Sequence, residues 1–508
     1  MMRRGRLLLV LASVMLLTGC IKPAAETSPW KASDPTPSNP NVVDNNETAI
    51  AQLPTTRPPD APYYTPTPDA PRVLPTIRPD TELYVVQYGD SLGYIASKYN
   101  LELETLIAAN ETINPDWIEI GQIINVPAPQ PSTTPSDFKI IPDSELVYGP
   151  ASAAFDLKDF IKSRDGYLAN YREEVEEEEM SGVQIVRRVS QEFSVNPRLL
   201  LALLEYRAGW VTSQQIDEFR RDYPMGFAQP LYKGLYMQLA WSAKQLNRGY
   251  YLWKINAISH TNLSDGTLAP LSPTINAGTA AVQYMLGLQS NAEAWQKAVG
   301  ENGVYETYTN FFGIPFDRAI EPLLPLDLAQ PELELPFEEG VQWSFTSGPH
   351  AGWGDGSAWA ALDFAPPGDL FGCFTSNEWI TASADGVITR SENGAVILDL
   401  DGDGLEQTGW TILYMHIESR DRIAAGSAVK TGDRIGHASC EGGYSDGTHV
   451  HIARRYNGEW ISADTDIPFV LSGWVSAGDG EEYSGTLHKD GNVVYSWNGR
   501  VDDNQIGR

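Results

Sequence analysis

Past its first residues the sequence has no apolar run long enough to cross a bilayer as a helix. Basic residues are scarce: 36 Lys and Arg stand against 66 Asp and Glu, a formal charge of -30. That balance excludes simple attraction to nucleic acid or anionic lipid, and it suits a protein working outside the cell. Cysteine is rarer still, with three in the chain, and once Cys20 is set apart only Cys373 and Cys440 remain. Histidine occurs seven times, yet five of the seven (His350, His416, His437, His449 and His451) fall within residues 350–451. At 508 residues the chain is too long for one core and is expected to hold about three folded units.

The histidine-rich stretch reads GPHAGWGDGSAWAALDFAPPG, later ILYMHI, and finally GTHVHIARR. Alternate residues of a strand point to one face, so His449 and His451 address the same site. Asp363 sits inside a hydrophobic run. Two imidazoles and one carboxylate make a zinc site that keeps its fourth position for water, which is the catalytic pattern. His350, Asp363 and one histidine of the HVH pair are the expected ligands.

These segments resemble the lysostaphin-type family of zinc endopeptidases that cut bacterial cell-wall peptides, and within it the beta-lytic and staphylolysin branch. The commoner branch has its first ligand His four residues before the Asp, where Trp359 stands here. His350 instead lies thirteen residues before Asp363, as in the beta-lytic arrangement. The resemblance covers roughly residues 335–470. It implies His350, Asp363 and His451 as zinc ligands and His416 and His449 as catalytic histidines, with no role for His437. The rival reading is a non-catalytic wall-binding scaffold or an activator of other murein hydrolases.

At the N-terminus, Arg3, Arg4 and Arg6 precede a short apolar run and then Leu17-Thr18-Gly19-Cys20. This is similar to a bacterial lipoprotein signal with its lipobox, which implies lipidation of Cys20 and an anchor on the outer side of the cell membrane. In such an oxidising compartment Cys373 and Cys440 are expected to form one disulfide. Residues 21–80, rich in Pro and Thr, read as an extended spacer.

Residues 84–127 run from YVVQYGDS to GQIINVP and predict a βααβ unit, with Ser91 capping its first helix. The unit resembles a LysM module over its whole length. That implies binding of N-acetylglucosamine-containing glycans, with Gly89, Asp90 and Ser91 on one side of the groove and the loop from Asn110 to Asp116 on the other. Residues 129–140 read as a second linker.

Residues 141–330 show apolar residues at helical spacing and predict an all-α domain. VNPRLLLALLEYRAGW resembles the helix that carries the catalytic Glu of lysozyme-like lytic transglycosylases. Arg207-Ala208 occupies the Glu-Ser position and Glu205 is two residues off, so a lysozyme-like fold without that activity, a glycan cradle or a helical spacer, is expected. The acidic run 173–179 reads as a solvated helix face.

From residue 331 to 508, alternating apolar and polar residues between Gly-rich turns mark an antiparallel sheet, with the tail 474–495 adding strands to it. Asp399, Asp401 and Asp403, with Gly404 sixth in the run, form half a calcium loop, but Trp410 stands at the twelfth position, so a hairpin-tip calcium site rather than an EF-hand is expected. The whole therefore reads as residues 1–20 signal peptide, 21–80 linker, 81–128 LysM, 129–140 linker, 141–330 helical domain and 331–508 metallopeptidase domain. Its expected work is hydrolysis of peptidoglycan cross-links.

Overall fold

A computed structural model describes residues 69–508 apart from 76, 78, 79, 100, 102, 116, 129 and 130. Cys20, the signal segment, most of the spacer and Asp116 lie outside the described residues.

The first unit is the expected βααβ module. Strands Glu82–Val85 and Ile123–Val126 pair antiparallel around helices Leu92–Lys98 and Leu103–Ala108. Ser91 caps the first helix by accepting the Tyr94 amide N–H. Gly89 takes a positive φ of 88° in the turn, and the Asp90 carboxylate closes that turn by accepting from the Gln87 amide and the Tyr84 hydroxyl. Asn110 corrects the expectation for its side chain. It is buried, donates to the Leu106 and Asn125 carbonyls and accepts the Asn125 amide. It is a strut between helix and strand, with its bonding capacity spent inside the module.

Both expected linkers turn out to be partly docked. Asp69 pairs with Lys139, Arg72 lies 5.0 Å over the Trp253 ring, and Asn256 donates to the Val73 carbonyl. Ser132 bonds the Leu268 carbonyl through its amide, and Ile140 is fully buried with its amide on the Thr279 hydroxyl.

The middle region is mainly helical. Its central helix Pro197–Ala208 starts on an Asn196 cap with Pro at its first position, and it ends on Gly209 at a φ of 69°. Glu205 is fully engaged: it accepts the Val211 and Thr212 amides and the Thr212 hydroxyl, closing the loop after the helix. Two short hairpins depart from the all-α expectation. The acidic run forms one of them, strands Arg172–Val175 and Glu178–Ser181, with Glu176 and Glu177 in the turn at positive φ. Glu173 in this hairpin accepts the Leu235 and Tyr236 amides. It thereby supplies the N-terminal cap and the negative charge that Gly234 cannot give the helix Leu235–Lys254.

The C-terminal region is built on a nine-stranded sheet. In order its strands are Ala428–Val429, Gly386–Glu392, Ala395–Asp399, Trp410–Met415, Val450–Tyr456, Ala361–Ala365, Trp343–His350 and Gln505–Ile506, with Glu459–Trp460 alongside Val450–Tyr456. Because side chains alternate, the four central strands each serve two cores. Leu362, Phe364, Leu398, Ile412, Tyr414 and Ile452 face a core internal to this region. Ala361, Ile397, Leu413, Met415 and Ala453 join the core of the helical region instead. Helices and sheet thus share one continuous apolar interior. Buried polar contacts tie the same seam. Glu406 accepts from Arg390, Arg455 and Gln191, and Tyr250 and Lys254 both reach Glu459.

The tail corrects another expectation. Strands Val470–Leu471, Trp474–Gly478, Gly485–Lys489 and Asn492–Tyr495 form a separate four-stranded sheet, and only Gln505–Ile506 joins the main one.

Candidate active site

Register brings the predicted site together. His451 pairs directly with Asp363 across neighbouring strands, so their side chains emerge side by side on one face. The strand Trp343–His350 carries two bulges, one between Phe345 and Ser347 and one between Ser347 and His350. They bend the strand end and set His350 opposite Ala361, two residues from Asp363 on the same face. All three side chains are buried.

Their donor atoms converge. His350 Nε2 is 3.0 Å from His451 Nδ1, and Asp363 Oδ1 is 3.2 Å and 3.1 Å from these two nitrogens. The remaining ring nitrogens decide the tautomers, because a carbonyl oxygen can only accept. His350 Nδ1 donates to the Gly348 carbonyl at 2.8 Å, and His451 Nε2 donates to the Gly352 carbonyl at 3.0 Å. Two lone pairs and a carboxylate oxygen are therefore left facing one point. Asp363 Oδ1 is buried with no hydrogen-bond donor of its own. Burial would push the Asp363 carboxyl up, but the neighbouring His350 and His449 imidazoles hold it well below the ordinary range. A cation bound by all three atoms is what this set fits.

Two more imidazoles stand beside the triad. His449 Nδ1 donates to the Gly447 carbonyl at 2.7 Å, and its Nε2 lies 3.7 Å from Asp363 Oδ2. His416 follows directly on strand Trp410–Met415 and takes a φ of 65°, a conformation uncommon for a residue other than glycine. That twist turns its ring to 4.5 Å from the His449 ring, while Nδ1 donates to the Glu441 carbonyl at 3.1 Å. Burial, followed by the neighbouring His449 and His451 imidazoles, pushes its pKa down to about 3. At neutral pH His416 is thus a neutral imidazole, with its proton on Nδ1 and Nε2 left as an acceptor. His437 lies elsewhere, against Trp379 and Asp421.

These groups line a cavity of about 740 Å³. Its wall includes Glu482, Tyr483 and Trp497 from the C-terminal tail, which the sequence reading did not assign to the site. Tyr483 stacks on His350 at 4.9 Å, and Glu482 accepts the Ala351 amide. No spacing relative to the histidine motifs announces them. Beside the cavity, Cys373 and Cys440 form the expected disulfide, next to the Glu441 carbonyl that orients His416. Asp399, Asp401 and Asp403 gather their carboxylates separately, at the tip between strands Ala395–Asp399 and Trp410–Met415. Burial and the two neighbouring carboxylates push Asp399 up to about 7.

Comparison with known proteins bears on the same segments. Residues 370–463 match peptidase family M23, residues 84–127 match the LysM domain, and residues 139–324 match the LasA N-terminal domain. The chain carries a LysM domain and an M23 peptidase domain. The M23 match includes His416, His449 and His451 but begins after His350 and Asp363, which the sheet register adds. The protease LasA of Pseudomonas aeruginosa strain UCBPP-PA14 is 24% identical over 337 residues, 63% of this chain and 74% of that protein. The beta-lytic metalloendopeptidase of Lysobacter enzymogenes is 24% identical over 153 residues, 30% of this chain and 82% of that one. Among solved structures, the M23 metalloprotease pseudoalterin from the deep sea is 24% identical, covers 35% of this chain and all of its own, and gives a TM-score of 0.29. The M23 family implies a metal, typically zinc, and His350, Asp363 and His451 could form its site. No helix among the described residues is long and apolar enough to cross a membrane.

Proposed function

We propose that this protein is a zinc endopeptidase of the bacterial cell wall, hydrolysing peptide cross-links of peptidoglycan. The observation that carries the reading is the buried convergence of His350 Nε2, Asp363 Oδ1 and His451 Nδ1, with Asp363 Oδ1 left without a donor. Zinc held by these three atoms would supply Lewis-acid activation of the attacking water and of the scissile carbonyl. The chain's own residues do the rest. His449 Nε2, freed by the Nδ1 bond to Gly447, takes the proton from the attacking water. His416 keeps a free Nε2 lone pair towards the same cavity and orients that water. Glu441 and Gly447 hold the two rings through their carbonyls, so no reorientation is needed during reaction.

The LysM module brings the enzyme to its glycan strands, with Gly89, Asp90 and Ser91 at one side of the groove. Lipidated Cys20 tethers the chain to the outer face of the cell membrane, and the Pro/Thr-rich spacer lets the folded part reach the wall. The hairpin-tip carboxylates of Asp399, Asp401 and Asp403 are read as a calcium site on their all-oxygen chemistry. The non-catalytic scaffold reading differs in one measurable respect. A catalyst should carry about one zinc per chain and release new amino termini from defined wall peptides, followed by mass spectrometry. A chain that binds wall material but holds no zinc and cuts no peptide would be the scaffold.

A further inference from the structure

In a chain with 66 acidic residues against 36 basic ones, the arginines around the sheet mostly find a carboxylate. Arg390, Arg420, Arg422, Arg434 and Arg455 are all ion-paired. Arg500, half-buried in the tail, pairs with no acid among the described residues. Its Nε donates to the Pro366 carbonyl at 2.7 Å, Nη1 to the Leu370 carbonyl at 2.7 Å and Nη2 to the Thr448 carbonyl at 3.4 Å. A guanidinium has five N–H groups, so two remain uncommitted. The Phe374 ring, centred 5.0 Å from the guanidinium carbon, covers one face of the plane. Neutral carbonyls fix this plane without cancelling its charge. Desolvation lowers the Arg500 pKa, and no acid acts to raise it.

The cation is held next to the reaction centre. Buried Asn504 donates to the Phe345, Trp497 and Gly499 carbonyls and accepts the Val501 amide. That fastens the tail on both sides of Arg500 to the strand Trp343–His350. Thr448, whose carbonyl takes Nη2, immediately precedes His449, and its hydroxyl exchanges two hydrogen bonds with the Phe374 backbone. A second cavity, of about 240 Å³, is lined by Asp363 and His449 like the larger one, and by Arg500, which the larger one lacks. It therefore joins the metal point to an uncompensated cation. Its other acid, Asp446, is exposed and makes no ion pair with Arg500.

We propose that Arg500 is a substrate-selecting residue that receives a carboxylate of the wall peptide near the scissile bond. Such peptides carry free carboxylates on acidic side chains and at chain ends, and two free N–H groups suit either. Binding the anion in the smaller cavity holds the neighbouring peptide bond towards the metal point and His449. All the groups involved belong to the peptidase region. The inference rests on the endopeptidase reading of the same site.

The test uses the full chain and one cross-bridge peptide in three forms: with a free carboxyl terminus, with a carboxamide terminus, and as the carboxamide with one Gln replaced by Glu. The form whose carboxylate meets Arg500 should show a kcat/KM about tenfold above the plain carboxamide, and the two acidic forms tell a chain end from a side chain. Arg500→Gln should bring that ratio to about one, and Arg500→Lys should keep most of it. Added salt should shrink the ratio in wild type. A clamp that only holds the tail would slow all three peptides alike in Arg500→Gln and leave the ratio unchanged, which would overturn the proposal. Binding is read separately, by calorimetry in the His416→Ala chain, whose substitution lies outside this cavity. The same preference should appear there in Kd. Equal binding and equal cleavage of all three forms would overturn the anion subsite while the endopeptidase stands. A preference in Kd with no cleavage by wild type would support the subsite and overturn the endopeptidase reading.

Discussion

Asp363 and His451 occupy directly opposed positions on adjacent strands, and Asp363 Oδ1 lies 3.1 Å from His451 Nδ1. No proton lies between them, because His451 gives its ring N–H to Gly352 on the other side. The first expectation follows from that relationship. Asp363→Asn replaces an anionic oxygen with a neutral amide, and His350→Ala deletes a lone pair. Either variant should lose the zinc that wild type carries at about one per chain, as measured by elemental analysis after dialysis. Full zinc in both variants would refute the ligand assignment.

His449→Ala and His416→Ala should separate chemistry from metal binding. Each ring is anchored by its own backbone carbonyl and neither contributes an atom to the converging triad. Zinc content should stay at the wild-type level while cleavage of a defined cross-bridge peptide falls by about 10²–10⁴-fold. Wild-type rates in both would make these histidines bystanders.

The seam between helices and sheet should be acid-sensitive at Glu406. Burial would raise this carboxyl, but Arg390 and Arg455 hold it below its ordinary value in the folded state. A depressed carboxylate stabilises the fold above its unfolded pKa of about 4.3 and loses that contribution as pH falls through the lower folded value. Glu406→Gln should lower stability at pH 7 by about 3–5 kcal/mol, since it strands two buried guanidinium groups. Urea melts at pH 7 and pH 4 test this, and the gap between wild type and variant should narrow at the lower pH.

In the LysM module, Asn110→Ala should act on folding before it acts on binding. It leaves the Leu106 and Asn125 carbonyls and the Asn125 amide without their partner, at about 1–3 kcal/mol for each buried group left unsatisfied. Circular dichroism of an 81–128 segment should show a lowered melting temperature. A variant with wild-type melting and impaired binding to insoluble peptidoglycan would return Asn110 to the groove.

Much of the site was legible because its chemistry is local in sequence. The HVH alternation, the apolar run around Asp363 and the YMH segment each carry their residues on short strands, where a period of two decides which side chains share a face. The LysM unit was legible for the same reason: its turn, cap and closing strand lie within residues 84–127. The acidic run was misread because six Glu around the single apolar Val175 set no period, whereas the hairpin there is settled by Glu173 meeting a distant helix terminus.

What the sequence by itself determined was the set of candidate ligands and the type of most elements around them. The tertiary structure decided which ring nitrogen of each histidine faces the metal point, because that depends on carbonyls of Gly348, Gly352, Glu441 and Gly447. It decided that Tyr483 and Glu482 reach the cavity from a separate sheet, and that the helical region lies under the loop beside His451. These are contacts between segments far apart in the chain. They follow from sheet register and from the filling of a shared core, and neither leaves a spacing that can be read along the sequence.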